Sequence, residues 1–186
     1  MQIIKPVVEY HQLQFQKTAQ TFHRDAPSFQ IARYMRSATG ANTHVDICLY
    51  GVLHRLTAVD IEYIKRLSVF VNVVPVILKC DTLRAEELFQ LKSSILSGLI
   101  QAKVDIYGFG LTMSEMLILT KNKVPGCPPF SFCDPALSDD LRPGSGESEF
   151  EQLKKLVMFT LVEEVRASAA NKYVQWREDY YRTPRR

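Results

Sequence analysis

The sequence predicts an α/β fold around a mostly parallel sheet, and three features of it carry that prediction. Charge-poor runs of β-forming residues alternate with segments whose apolar residues recur at helical spacing. The spacers are long enough to be crossovers, and one run, Val73 to Leu78, is apolar without interruption. Antiparallel neighbours need only a tight turn, whereas parallel strands need a crossover of about a dozen residues or more. An uninterrupted apolar strand suits a sheet covered on both faces.

Val8, Phe15 and Phe22 recur at sevens with Leu13 between them, which predicts a helix over Val7 to Arg24 with Pro27 as its stop. Val45 to Val52 is rich in β-formers and nearly free of charge, so it reads as a buried strand. Ala58 to Val71 places Ile61, Ile64 and Leu67 on one helical face, with Asp60 and Glu62 near the start where acids favour the helix dipole. Val73 to Leu78 is the next strand, although Pro75 lacks a ladder donor and points to an edge or a strand start. Ala85 to Ala102 is helical by the spacing of Leu88, Leu91, Ile95 and Leu99, and Val104 to Tyr107 reads as a short strand. A short helix follows over Met113 to Asn122. Pro125 to Gly146 holds five of the nine prolines and three of the eight glycines, which makes it a loop. Phe150, Leu153, Val157, Leu161, Val165 and Ala169 then step by threes and fours along one long last helix ending near Tyr173. There is no internal repeat.

A chain of 186 residues is long enough for one domain with a sizeable core, and 46% hydrophobic with 23% charged residues is the composition of a folding globular protein. The net charge of +3, from 23 basic against 20 acidic residues, gives no reason to expect nucleic acid. The one basic cluster, Arg182-Thr183-Pro184-Arg185-Arg186, reads as a solvated end. Cys48, Cys80, Cys127 and Cys133 show no zinc spacing, and Cys48 and Cys80 stand in strand-like runs as small buried hydrophobes. A reducing, cytoplasmic setting is expected on that basis. No run reaches the roughly 18 apolar residues of a membrane span, and the first residues are not a signal peptide.

In α/β folds ligands gather at the carboxyl ends of strands. The Val73 to Leu78 strand ends on Lys79-Cys80-Asp81-Thr82. A carboxylate there accepts two hydrogen bonds from adjacent donors on a guanine edge, which adenine does not offer, while a lysine stem lies across the flat base. His11, His23 and His44 form no metal-ligand spacing, and Glu86-Glu87 and Glu163-Glu164 read as solvated helix acids. No catalytic triad or acid/base pair can be assembled. The aromatic Tyr173 to Tyr181 is expected to pack the helix end onto the sheet.

Val59-Asp60-Ile61-Glu62-Tyr63-Ile64-Lys65-Arg66-Leu67 and Val71-Asn72-Val73-Val74-Pro75-Val76-Ile77-Leu78-Lys79-Cys80-Asp81-Thr82-Leu83 resemble the septin patterns LDIEFMKRL and VNVVPVIAKADTL. Septins carry the proline at the place of Pro75. Val7 to Tyr10, Val45 to Tyr50 and Asn171 to Arg177 are similar to further septin segments, so the resemblance covers most of residues 1–186. It implies a partial septin-type G domain with a three-layer P-loop NTPase-like fold, lacking the first strand, the P-loop and the first helix, with residues 150–186 as a last helix and basic tail. It further implies guanine nucleotide, GTP or GDP, at a subunit interface, with other septin subunits as partners in filaments of the cytoskeleton, at the cell cortex or division site. Carried over, Lys79 packs on the base and Asp81 reads it. Thr82, Glu87 and His54 match positions that face a neighbouring subunit, and Ser131 stands near the base.

The pattern also departs from the family. Phosphate binding in this fold needs G-x-x-x-x-G-K-[ST], and the sequence contains no Gly-Lys pair. Asp105-Ile106-Tyr107-Gly108 fits D-x-x-G by letter only, because it follows the base motif instead of preceding it. Leu78 stands where septins have Ala, the loop after the first strand is shortened to Leu53-His54-Arg55-Leu56, and the family's Gly-Ser appears as Phe130-Ser131. The expectation is therefore weak or absent GTP binding by this chain alone, magnesium only with an upstream P-loop, and a scaffold role without catalysis. The alternative is the later part of an active septin GTPase whose P-loop lies upstream.

Overall fold

A computed structural model describes residues 3–37, 44–133 and 148–182. In chain order these form α1 (Lys5–Thr21), α2 (Ser28–Arg36), β1 (Ile47–Val52), α3 (Ala58–Ser68), β2 (Asn72–Leu78), a 3₁₀ turn (Cys80–Thr82), α4 (Ala85–Gln101), α5 (Met113–Lys121), β3 (Phe130–Phe132), α6 (Glu149–Lys155), a π turn (Leu156–Thr160) and α7 (Val162–Arg182). The strands make one parallel sheet in the order β1-β2-β3, with Val76 opposite Phe130 and Leu78 opposite Phe132.

The described residues divide into two compact units, one holding Leu49–Lys65 and Val73–Val162 and the other the remainder. In the first, Val73, Val74, Val76 and Ile77 of β2 are buried, as are Ile95, Leu96 and Leu99 of α4 and Met116 of α5. Pro75 stands inside β2, the central strand, and leaves the ladder short of one donor. Two helix starts, those of α3 and α5, carry capping side chains. Asp60 accepts from Thr57 N–H at 2.8 Å and from Thr57 Oγ1 at 2.6 Å, and Thr112 with Glu115 does the same for α5.

The second unit gathers Phe15, Ile31, Phe70 and Tyr173, with Val8, Phe22, Met35 and Trp176 against them. Asn72 is fully buried and fully bonded there. Its amide donates to Asp46 O and Val165 O, each at 2.9 Å, and its oxygen accepts from Ser168 Oγ at 2.8 Å. Arg177 donates to His23 O and Arg24 O at 2.7 and 2.9 Å, which holds α7 to the end of α1. The aromatic end of α7 packs on Phe15 of α1, with ring centroids 5.0 Å away for Tyr173 and 5.3 Å for Trp176.

Three expectations change. Val104 to Tyr107 is not a strand; Tyr107 N–H donates once to Val73 O at 2.9 Å and no ladder follows. The third strand is instead Phe130–Phe132, inside the proline-rich stretch read as loop, because three residues are too few to show alternation. The last helix is interrupted by the π turn and runs on past Tyr173 to Arg182. Residues 134–147 of the loop and 183–186 of the basic tail lie outside the described residues.

Candidate functional site

β2 delivers Lys79, Cys80, Asp81 and Thr82 at the carboxyl end of the central strand. Lys79 takes a left-handed backbone (φ 57°, ψ 42°), a costly conformation for a residue with a side chain. It turns the chain sharply out of the sheet. The turn is closed by Thr82 N–H and Thr82 Oγ1, which donate to Lys79 O at 3.2 and 2.8 Å, and by Leu83 N–H, which donates to Cys80 O at 3.0 Å. The ammonium of exposed Lys79 and the carboxylate of half-buried Asp81 have no hydrogen-bond or ion-pair partner among the described residues. Two opposite charges thus stand on one turn at a strand end with neither committed to a described residue.

Space beside this turn is set by Gly51. A Cβ there would lie 2.8 Å from Leu78 Cδ1, so the glycine of β1 makes room for the leucine that precedes the motif. His54, exposed in the turn after β1, and Cys133, just beyond β3, leave the same carboxyl edge of the sheet.

Other candidates are engaged elsewhere. The Thr82 hydroxyl is used within the turn. Glu87 accepts from Arg84 N–H and Arg84 Nη2, both at 2.9 Å, and so caps α4; the Arg84 hydrogen bonds hold its carboxyl below the usual range. Ser131 lies in mid-strand opposite Ile77, and its N–H and hydroxyl both donate to Glu149 Oε2. Glu149 also accepts from Gly126 N–H at 3.1 Å and from Lys92 Nζ at 2.6 Å, with Lys92 only 1% exposed. This buried ion pair was not visible in the sequence, where residues 92 and 149 stand 57 apart with no motif around either.

The cysteines also differ from expectation. Cys80, between Lys79 and Asp81, is not a free buried thiol but is bonded to Cys133. The loop it closes spans 53 residues, which in the chain-entropy account contributes roughly 4 kcal/mol. Cys48 and Cys127 are free, and burial pushes both thiols up. The described residues hold no group of three metal-ligating side chains and no helix long and apolar enough to cross a membrane.

The family model for septins matches residues 5–134, which is most of the chain and includes the β2 turn. The chain belongs to the septin family. Septin-9 of Rattus norvegicus is 40% identical over 88 residues, covering 42% of this chain and 16% of that protein. Septin-11 of Bos taurus is 34% identical over 108 residues, covering 56% of this chain and 24% of that protein. The chain therefore spans a minor part of these septins. The solved septin GTPase domain from Chlamydomonas reinhardtii matches with a TM-score of 0.61 at 21% identity, over 94% of this chain and 68% of that domain. At that identity the likeness establishes the fold, an α/β G-domain architecture with a parallel sheet. The septin sheet thus places the lysine–aspartate turn, and the sheet itself is seen here without a phosphate loop among the described residues.

Proposed function

We propose that this septin chain reads a guanine base through Asp81 and Lys79 and serves as a scaffold element that associates with other septin subunits. The observation that carries the reading is the Asp81 carboxylate, without a partner among the described residues, on a turn at the carboxyl end of the central strand. Two adjacent guanine donors match its two oxygens, and the Lys79 stem supplies a face for the ring. Thr82, Glu87 and His54 then border the surface offered to a neighbouring subunit. Recruitment to septin filaments at the cell cortex or division site is the role that such a surface suits.

Phosphates carry most of the charge of GTP, and each lost charge-assisted hydrogen bond removes roughly 1.5–3 kcal/mol. A chain with no Gly-Lys pair therefore gains little from the triphosphate and hydrolyses none of it. The partial coverage of its relatives favours a second reading, in which these residues are the later part of a septin GTPase whose phosphate loop and magnesium site come from residues outside the 186.

A nuclear magnetic resonance titration with guanosine, adenosine and GTP tests the first reading. Guanosine should shift the amides of Lys79 to Leu83 weakly and saturably, adenosine should not, and GTP should bind no more than about tenfold tighter than guanosine. Equal shifts with adenosine would refute base reading by this turn, and micromolar GTP binding would refute the scaffold account without a phosphate site.

A further inference from the structure

The turn that carries Lys79 and Asp81 is tethered at one point by a bond that thiol chemistry can open. Cys80 is 3% exposed and sits between the two charged residues. Its partner Cys133 follows directly on β3, with the two Cα atoms 5.1 Å apart. Leu78 and Phe132 are register partners in the sheet, so the bridge continues the pairing of β2 and β3 beyond the last rung. Without it, the turn keeps its internal bonds to Lys79 O and Cys80 O but loses its covalent tie beyond the last rung of β2 and β3. We propose that Cys80–Cys133 is a thiol–disulfide site that sets the order of the base-reading turn, closed when oxidised and released when reduced. Its consequence for ligand affinity rests on the guanine-reading role proposed above.

Access decides the route. Cys133 is half-buried and Cys80 is buried, so an incoming low-molecular-weight thiolate reaches Cys133 first. A bond forms between the incoming sulfur and Cys133 Sγ, the Cys80–Cys133 bond breaks, and Cys80 leaves as a thiolate that takes up a proton. A second thiol then attacks the mixed disulfide, releases Cys133 as a thiol and leaves with the first as a small disulfide. Two electrons and two protons pass from the two thiols to the protein, and a small disulfide reverses both steps. Cys48 and Cys127 are free in the bridged state, so they take no part in the bond.

The whole chain is equilibrated with glutathione disulfide or with dithiothreitol, and three readouts are taken. Alkylation after denaturation should label two cysteines in the oxidised chain and four in the reduced chain. Amide hydrogen exchange at Lys79 to Leu83 should be slower in the oxidised chain. Guanosine should bind about tenfold more weakly after reduction, the size of an ordinary coupling between two sites. Cys133→Ser should show the reduced behaviour under both conditions, while Cys48→Ser should keep the redox response. Four labelled cysteines in the oxidised chain, or identical exchange at the turn in both states, would overturn the proposal. An exchange difference with no guanosine binding in either state would uphold redox control of the turn and refute the base-reading role. Wild-type readouts suffice should Cys133→Ser not fold.

Discussion

At the scale of single residues, Glu149 does more for this fold than any motif suggests. Its carboxylate accepts from Lys92, Gly126 and Ser131, which come from α4, the turn before β3 and β3 itself. Gly126 has φ +83°, a conformation that residues with side chains avoid, and its amide donates to Glu149 at 3.1 Å. Removing one partner of a buried pair leaves the other charge uncompensated, which costs about 3–5 kcal/mol. Glu149→Ala should lower the unfolding free energy by roughly that amount in denaturant melts. Replacing both partners with apolar residues of similar size, as in Lys92→Met with Glu149→Leu, should recover much of the loss. A loss below about 1 kcal/mol for Glu149→Ala would show that the ion pair is incidental. None of this was legible beforehand, because Lys92 falls on a predicted helix like any surface lysine and Glu149 opens the next helix like any capping acid. The place of Asp81 was legible, since a strand end and a short motif lie together in the chain.

At the scale of elements, α1 and α7 meet over aromatic rings, and His44 lies among them. Its ring centroid is 5.6 Å from Phe15 and 6.0 Å from Tyr173, and its Nε2 is 2.7 Å from Thr18 Oγ1. Burial, and to a lesser degree the neighbouring His11, lowers the His44 pKa to about 4. The unfolded chain thus binds the proton more readily than the folded one between pH 6.5 and about 4. The stability that neutral His44 contributes is complete above that window and is lost as pH falls through it. Unfolding midpoints should therefore drop across the window, and His44→Gln should flatten the drop. A wild-type profile already flat there would contradict the burial of this ring. Helices α1, α3, α4 and α5 follow from apolar spacing, with Thr57–Asp60 and Thr112–Glu115 capping at two of them, and their predicted bounds lie within a few residues of those observed. By contrast, α2 was not anticipated, and the last helix runs on from Tyr173 to Arg182. β3 escaped notice because strand pairing over three residues is a tertiary event with no period of its own. The π turn escaped for the opposite reason, since Val157 and Leu161 keep the helical step through the break.

At the scale of the whole molecule, the septin sheet fixes where chemistry can occur before any side chain is considered. A parallel sheet directs its strand ends to one edge, and the central strand brings Lys79 and Asp81 there with neither charge committed to a described residue. The fold class, the order of the main helices and the candidate turn were all contained in local pattern and family resemblance. The disulfide was not, because a pairing across 53 residues depends on the folded register of β2 and β3. The central claim is that the Asp81 carboxylate reads the donor edge of guanine, and an amide in its place should reverse that preference. Xanthine carries a carbonyl where guanine carries its amino group, so the Asn amide can donate where the carboxylate could only accept. Calorimetric or resonance titration of Asp81→Asn should show guanosine affinity falling about tenfold or more and xanthosine affinity rising above it. If the substitution leaves the guanosine-to-xanthosine ratio unchanged, Asp81 does not read the base.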